Sequence, residues 1–314
     1  MKRIVTDPKQ TGALTFSDTA EPQPLPHQSL VKVTHYSLNR GEIMMAQAAY
    51  KGTAIGWDYV GTIARTAAGG NGPPEGTRVV GWRPEMDAFA EYVIGDPAFF
   101  APIPEGVSDI QAATLPVAGL TALAAIDKGT RLIGDSILVT GITGGVGHFA
   151  LQLAKLSGAR VVAQVRKPEQ AAFAKSMGAD AVIVTADGSG LEAEGPYRLI
   201  VDGVSGALFD KLLETTAKSG TLVIYGSSGS SEIQFAPYPA LYGNGGQRTV
   251  YGLTLYTEVE LQPSSIALAR LLRLVANQKL TVPETTAADW AETPQCAQDL
   301  LDRKFQGKAV LTVS

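Results

Sequence analysis

Four glycines near the middle of the chain offer backbone chemistry to an anion. They lie between a short apolar run, Ile137–Val139, predicted as a buried strand, and Val146–Leu156, whose apolar residues recur at helical spacing. Glycine lets the backbone turn tightly and approach a diphosphate, and the first amides of the new helix then face that anion. Because a strand, a turn, a helix and a second strand follow in order, the pattern favours a dinucleotide site over a purely structural turn. The glycines are Gly141, Gly144, Gly145 and Gly147, and the predicted cofactor contacts are Thr143, Gly144, Gly145, Val146 and Gly147.

The residues after the next strand indicate which dinucleotide binds. Arg160–Val165 is the predicted second strand, and an NAD site usually carries an acidic residue near its end for the ribose 2′-hydroxyl. This chain has Arg166 and Lys167 there, with no acid before Glu169. Two cations would neutralise a 2′-phosphate through charge-assisted hydrogen bonds, so the sequence favours NADP(H). The alternative is that both cations belong to a solvated loop.

Two other kinds of dehydrogenase chemistry find no support in the sequence. A catalytic zinc needs about three side-chain ligands and a structural zinc about four. The histidines His27, His35 and His148 are far apart and Cys296 stands alone, so we expect no metal site. None of the tyrosines has a lysine four residues later, which excludes the Tyr-x-x-x-Lys pair of short-chain dehydrogenases.

Hydride transfer without a metal still requires that the acceptor be held and polarised. The predicted residues for this task are Asn39 and Tyr50. Asn39 would bond a carbonyl or the nicotinamide ribose, and Tyr50 would donate a proton or orient the acceptor. The alternatives are that Asn39 is a turn residue bonded to its own backbone and that Tyr50 is a surface ring.

Composition bounds the function classes. The chain has 314 residues, 45% of them hydrophobic and 18% charged, with a formal net charge of −4, which argues against a nucleic-acid partner. The longest nearly apolar run, Ala112–Ile126, is too short to span a bilayer and predicts a core helix, so we expect no membrane partner. The single cysteine, Cys296, excludes an intrachain disulfide and is typical of the reducing cytoplasm.

The elements that must position these residues fall into two patterns. Residues 1–110 contain short alternating segments separated by Pro, Gly and charged residues, which predicts a compact β-rich domain. Strands then alternate with helical stretches through residues 111–253, which predicts an α/β domain with a doubly wound parallel sheet. Residues 254–314 add two helices and a closing strand that complete the first domain. The six parallel strands are predicted at Ile137–Thr140, Arg160–Val165, Ala181–Val184, Leu199–Asp202, Thr221–Tyr225 and Thr249–Leu253.

Seven segments, in this order, resemble the zinc-independent quinone oxidoreductase branch of the medium-chain dehydrogenase/reductase superfamily. Zinc-dependent relatives carry His-Glu inside the second segment, where this chain has Trp57-Asp58. The resemblance covers nearly the whole length. The segments are Tyr36–Asn39, Gly56–Gly61, Gly76–Gly81, Ala88–Tyr92, Leu115–Ala122, Gly144–Gly147 with Gln152–Lys155, and Gly307–Leu311.

The resemblance implies a GroES-like β-rich catalytic domain, a Rossmann domain that binds NADPH, and a homodimer. It implies that Asn39 and Tyr50 face the nicotinamide and that Thr121 lies near it. Further contacts implied through the backbone are at Gly203, Val204, Gly226 and Ser227. Two positions depart from the family: Gln170 stands where relatives commonly have a lysine, and Thr185 where many have a tyrosine.

The sequence therefore predicts an NADPH-dependent, metal-free oxidoreductase that transfers a hydride to a small electron-poor acceptor. The acceptor would be a quinone or the activated carbon–carbon double bond of an enone or enal. One alternative is an enoyl-thioester reductase. Another is an NADPH-binding protein with little turnover, acting as a sensor or structural partner, because fold alone does not determine activity.

Overall fold

The computed structural model describes residues 1–70, 72–230 and 232–314. The chain divides into two compact units: unit 1 comprises Met1–Leu120 and Val259–Ser314, and unit 2 comprises Thr121–Glu258. The sequence places these divisions at 110/111 and 253/254. Residues 111–120 lie in unit 1, where the backbone amide of Val117 donates to the Asp58 carboxylate.

The described residues form the following strands and α-helices. The strands are β1 (Lys2–Thr6), β2 (Leu14–Asp18), β3 (Ser29–Ser37), β4 (Asp58–Arg65), β5 (Arg78–Trp82), β6 (Tyr92–Gly95), β7 (Phe100–Pro102), β8 (Ser136–Val139), β9 (Arg160–Val165), β10 (Ala181–Val184), β11 (Tyr197–Asp202), β12 (Thr216–Ile224), β13 (Thr249–Gly252), β14 (Thr285–Asp289) and β15 (Lys308–Thr312). The α-helices are α1 (Arg40–Ala48), α2 (Asp109–Ala113), α3 (Leu120–Asp127), α4 (Gly145–Leu156), α5 (Ala171–Ser176), α6 (Phe209–Thr215), α7 (Pro237–Tyr242), α8 (Leu255–Leu261), α9 (Ser264–Ala276) and α10 (Thr293–Leu301).

Unit 1 is built on a largely antiparallel sheet. Its strand order is β14-β15-β3-β4-β5-β7, with β6 paired to β3, and only β14 and β15 run parallel. The C-terminal strand β15 thus lies beside β3, so distant parts of the sequence meet there. The core includes the stacked rings of Tyr36 and Phe89. Strand β6 begins at Tyr92, where its pairing with β3 begins.

Unit 2 is a six-stranded parallel sheet in the order β10-β9-β8-β11-β12-β13. The order reverses between β8 and β11, which is the arrangement of a Rossmann sheet. Central positions such as Leu138, Val162 and Ile200 are fully buried, as expected for strands covered on both faces. The predicted α/β class, with a β-rich domain and a parallel Rossmann-type sheet, is confirmed.

The prediction of one continuous helix over Ala112–Ile126 is wrong, although the segment is largely buried as expected. The structure has α2, then a π-helical turn over Leu115–Gly119, then α3. Pro116 has no N–H to donate, so the regular α-helical ladder is interrupted there. In the described part of the chain, no helix combines the length and apolarity that crossing a bilayer requires.

Candidate active site

The glycine-rich turn between β8 and α4 has the backbone geometry that the sequence predicted. Gly141 has a φ of +61°, in the left-handed region, and the amide of Gly144 closes the turn on the Gly141 carbonyl. A Cβ added to Gly147 would lie 2.5 Å from the Gly141 oxygen and 2.7 Å from the Ile142 Cα. Gly147 is therefore required for the close approach of α4 to the turn.

The first backbone amides of α4 are arranged in a way that suits an anion. Its N-cap, Gly144, has no side chain to bond the first amides of the helix. Within the described residues, the N–H groups of Gly145, Val146 and Gly147 donate to no acceptor. Together with the helix dipole, these amides suit a phosphate group. Thr143 precedes them and is half-buried.

The loop after β11 lies next to this turn. Thr140 donates its hydroxyl proton to Asp202 at 2.6 Å, and the backbone amide of Gly203 donates to the Thr140 hydroxyl at 3.1 Å. The amides of Val204 and Ser205 then bond the Asp202 carboxylate at 3.0 Å each. A Cβ on Gly141 would lie 3.5 Å from the Val204 side chain, so the structure brings the predicted contacts Gly203 and Val204 to the glycine turn.

Asp202 and Thr140 are functional candidates that the sequence reasoning missed. Asp202 is fully buried, and burial raises the pKa of its carboxyl group. Its hydrogen bonds to the Thr140 hydroxyl and to the amides of Val204 and Ser205 hold the loop after β11 in place. The sequence offered one signal for them: Thr140 and Asp202 are the last residues of two predicted strands. Polar residues at the carboxyl edge of a parallel sheet usually face the ligand side.

The loop after β12 completes this edge of unit 2. The amide of Ser228 donates to the Gly203 carbonyl at 3.1 Å, and a Cβ on Gly226 would lie 3.5 Å from the same oxygen. Gly226 therefore joins Gly203, while Ser227 is exposed. A Cβ on Gly203 would meet the ring of Tyr225 at 2.4 Å, so this glycine makes room for a tyrosine that the sequence reasoning did not consider.

The two cations after β9 have different surroundings. Lys167 is exposed and lies 3.7 Å from the Glu169 carboxylate, which supports the solvated-loop alternative for this residue. The Arg166 guanidinium is exposed and has no ion pair or hydrogen bond within residues 1–70, 72–230 and 232–314. Its cation is available to a ligand.

The two departures from the family pattern have structural tasks. The Gln170 side-chain oxygen accepts from the amides of Arg166 and Lys167 at 3.2 and 3.1 Å and so fixes the turn that carries them. The Thr185 carbonyl accepts from the Gln164 side chain at 2.6 Å, which ties β9 to the end of β10. Thr121, near the start of α3, is almost fully buried.

In unit 1, Asn39 lies at the start of α1 inside a buried polar cluster. Its Nδ2 group donates to Asp58 at 2.9 Å and to Glu42 at 3.2 Å, and its Oδ1 accepts from Lys308 at 2.5 Å. The Glu42 carboxylate also accepts from the Asn39 backbone amide at 2.6 Å, which is half of a capping box. Both amide hydrogens of the side chain are thus used, and one lone pair of Oδ1 remains.

The charges of this cluster are out of water. Glu42 and Asp58 are 0% exposed and Lys308 is 4% exposed. Burial and the neighbouring Asp58 charge raise the pKa of Glu42 to about 8, against the lowering effect of the Asn39 amide, Lys308 and the Trp57 amide. Asp58 and Lys308 lie in the segments Gly56–Gly61 and Gly307–Leu311, and no local pattern in either segment predicts that the two side chains meet.

Tyr50 stands apart from these groups. Its side chain is 91% exposed. Its backbone carbonyl accepts a hydrogen bond from the Thr6 hydroxyl at 2.6 Å. The backbone of Tyr50 is therefore held in place, while its ring lies in solvent. Met44 and Met45 of α1 are also about half exposed, which leaves an open apolar surface on this helix.

Possible metal ligands are scattered. His27 lies 3.7 Å from Asp96, and His35 lies 3.1 Å from the Thr34 hydroxyl. His148 is in α4, and Cys296 is buried in the core of unit 1. Among the described residues, no three or more His, Cys, Asp or Glu side chains are grouped to hold a metal ion.

Comparison with known proteins gives concordant matches. Residues 145–273 match the family described as zinc-binding dehydrogenase. The chain is 27% identical to the quinone oxidoreductase of Coxiella burnetii, with a TM-score of 0.83 over 100% of this chain and 99% of that one. Mycobacterial Rv1454c, solved in complex with NADPH, has the same fold, with a TM-score of 0.85, 24% identity and 99% coverage of each chain.

Two relatives differ in how much of them the chain spans. Trans-enoyl reductase tazE of Aspergillus terreus is 29% identical over 66% of this chain and 80% of its own length. The mycocerosic acid synthase-like polyketide synthase of Mycobacterium tuberculosis is 24% identical over 100% of this chain, which spans only 15% of that protein. These matches identify a zinc-binding dehydrogenase domain in residues 145–273 and are consistent with the zinc-independent quinone oxidoreductase branch of the medium-chain dehydrogenase/reductase superfamily.

Proposed function

We propose that the protein is an NADPH-dependent reductase that transfers a hydride to a quinone or to the activated double bond of an enone or enal, without a metal. One observation carries the cofactor part of this proposal. Within the described residues, three helix amides without an acceptor and an arginine without a partner follow the neighbouring parallel strands β8 and β9, whose carboxyl ends share one edge of the sheet.

The residues of unit 2 fit NADPH. The amides of Gly145, Val146 and Gly147 suit the diphosphate, and Arg166 suits the 2′-phosphate. Loops 203–204 and 226–227 and Thr121 would complete the contacts, with Lys167 in a minor role because of its Glu169 partner. Bound NADPH would supply the hydride. The complex of mycobacterial Rv1454c supports this choice of cofactor for the fold.

In unit 1, the proposed roles of Tyr50 and Asn39 differ. The exposed Tyr50 hydroxyl is the proposed donor to the acceptor, either orienting its carbonyl oxygen or returning a proton to carbon. The amide hydrogens of Asn39 are occupied, so its proposed contact is narrower: the remaining lone pair of Oδ1 accepts from a ribose hydroxyl. The exposed methionines of α1 are suited to an apolar acceptor.

We also propose a homodimer formed at the outer edge of unit 2. Strand β13 ends the sheet, and within the described residues its outer side has no partner. An open edge is self-complementary for antiparallel pairing about a two-fold axis. Val250 on this strand and Tyr238 and Tyr242 on α7 are exposed. Val250→Lys should then give monomers in light scattering, whereas a dimeric variant would contradict this arrangement. Cytoplasmic location is proposed only from the single buried cysteine.

The deciding experiment combines binding with turnover. Calorimetry with NADPH and with NADH is followed by NADPH oxidation assays on a panel of quinones, enones and enals. Binding of NADPH together with oxidation by at least one acceptor supports the proposal. Binding without oxidation across the panel would favour a sensor or structural protein, and absence of binding would remove the proposal.

An enoyl-thioester substrate is the second candidate, because tazE is a trans-enoyl reductase and the polyketide synthase match covers the whole chain. The panel therefore includes an enoyl thioester of N-acetylcysteamine beside an enone of the same chain length. A thioester preference of about tenfold or more in kcat/KM would favour this candidate, since tenfold marks a distinct binding contribution.

A further inference from the structure

The buried cluster around Asn39 contains more ionisable groups than a helix cap requires. Two carboxyl groups and an ammonium group, from the three separate elements α1, β4 and β15, are buried together. Removing charges from water is costly, and a buried ion pair is often no better for stability than apolar residues of the same volume. The cluster therefore calls for an explanation in terms of geometry rather than stability.

Lys308 has one acceptor for each ammonium hydrogen. Its Nζ lies 3.0 Å from the Leu38 carbonyl oxygen, 2.5 Å from the Asn39 Oδ1 and 3.3 Å from the Asp58 Oδ2. A lysine ammonium has three donors and no acceptor, so all of its hydrogens are used. The C-terminal strand thereby holds both the backbone and the side chain at the start of α1.

Asp58 connects the start of α1 to a second segment, the π-helical turn over Leu115–Gly119. Its Oδ2 accepts from the Ser37 hydroxyl at 2.6 Å and from the Asn39 side chain at 2.9 Å. Its Oδ1 accepts from the backbone amide of Val117 at 3.1 Å, inside the π-helical turn. One carboxylate thus joins the loop at Asn39 to the turn that precedes Thr121 in the chain.

We propose that Lys308 and Asp58 are positioning residues that couple the segment 36–42 to the turn 115–119 and hold both in the arrangement used for hydride transfer. The catalytic part rests on the proposed function, whereas the coupling does not. Among the described residues, Lys308 donates to the first segment and to Asp58 but to no residue of the turn 115–119, so it acts on that turn through Asp58. A purely local role for Lys308 would leave the turn unaffected by its removal.

Amide hydrogen exchange tests the coupling without reference to activity. In Lys308→Met, peptides that cover residues 36–42 and 115–119 should both exchange about tenfold faster than in the wild type, because the buried bonds open more often. Peptides from β1 report unfolding of unit 1, peptides from β9 report unfolding of unit 2, and neither set should change. Lys304→Met removes an exposed lysine paired with Asp299 and Asp302 and serves as the matched control. Faster exchange in 36–42 with an unchanged rate in 115–119 would overturn the coupling.

A milder variant covers the case in which Lys308→Met does not fold. Ser37→Ala removes one hydrogen bond to Asp58 and no charge. It should accelerate exchange in the same two segments by about threefold, as the loss of one modest bond would. Acceleration at Ser37 alone, or in neither segment, would also count against the coupling.

Kinetics test the catalytic part. With an acceptor that the wild type reduces, Lys308→Met should lower kcat by about 10- to 100-fold, since small misplacements of reacting groups cost this much. The Kd for NADPH should stay within about threefold, because the unbonded amides and Arg166 are untouched. Unchanged kcat in a variant with accelerated exchange would overturn the positioning role. A wild type that neither binds NADPH nor turns over any acceptor would instead defeat the proposed function, while the exchange data would still decide the coupling.

Discussion

The two units build their candidate sites from different material. In unit 2 the candidate anion site consists of backbone amides in a glycine turn, and the residues involved span the seven positions from Gly141 to Gly147. In unit 1 the site rests on side chains, and Lys308 meets Asn39 across 269 positions. A backbone site is damaged where an added atom collides with the backbone, whereas a side-chain site is damaged when a partner is removed. Substitutions should therefore damage the two units in opposite ways.

The largest effect is expected where an added atom meets backbone. Gly147→Ala places its Cβ against the Gly141 carbonyl, so α4 must shift, with a loss of about 1–3 kcal/mol in the free energy of unfolding. The displaced amides should weaken NADPH binding by about 100-fold or more, as several charge-assisted bonds are lost. Urea denaturation and calorimetry measure both quantities.

Gly144→Ala is the control for this collision. Its Cβ would lie 3.5 Å from the same oxygen, which is an ordinary contact. The free energy of unfolding should stay within about 0.5 kcal/mol of the wild type. Equal destabilisation by both substitutions would show that the turn does not depend on the contact at Gly147.

The side-chain site should make stability depend on pH. Glu42 has an ordinary pKa of 4.5, which burial and Asp58 raise to about 8 in the folded chain. Between these values the folded state binds one more proton than the unfolded state, so stability falls as pH rises. The stabilisation that protonated Glu42 contributes is fully present below pH 4.5. It is lost progressively between pH 4.5 and pH 8, and it does not change further above pH 8. The slope due to Glu42 is at most about 1.4 kcal/mol per pH unit.

The measurement compares slopes rather than absolute stabilities. Urea denaturation from pH 5 to pH 8 should show a flatter profile for Glu42→Gln than for the wild type, because the titrating group is gone. Glu75→Gln changes an exposed carboxylate and should keep the wild-type slope. Identical profiles for the wild type and both variants would mean that Glu42 is ionised throughout this range.

The cofactor preference is the next effect in size. Arg166→Ala should weaken NADPH binding by about 10- to 100-fold and leave NADH binding unchanged, because one charge-assisted contact to the 2′-phosphate is lost. Lys167→Ala, whose cation has Glu169 beside it, should change NADPH binding by less than about threefold. Equal weakening of NADPH and NADH by Arg166→Ala would refute the 2′-phosphate contact.

The smallest effect is expected at the exposed tyrosine. Tyr50→Phe should lower kcat by about tenfold, at the low end for a proton donor, because water reaches the same position. The Kd for NADPH should not change. Stopped-flow measurement of hydride transfer provides the test, and an unaltered rate would leave Tyr50 as a surface ring.

Local patterns predicted much of unit 2. The strands β8 to β13 lie within a few residues of the expected runs, since buried parallel strands are continuously apolar and end in turn residues. Unit 1 was less predictable, because antiparallel strands there are short and broken by turns. The apolar run Ala112–Ile126 predicts one helix, because burial does not distinguish an α-helix from a π-helical turn at Pro116.

By itself, the sequence determined the glycine turn, the absence of an acid at the end of β9 and the alternation that yields a parallel sheet, because each depends on neighbours a few positions apart. Only the tertiary structure decided that, among the described residues, the Arg166 guanidinium has no partner while Lys167 lies beside Glu169, and that Asn39 donates its two amide hydrogens to Asp58 and Glu42. Such partners come together when β15 pairs with β3, and no local pattern encodes which charges will meet once water is removed from between them.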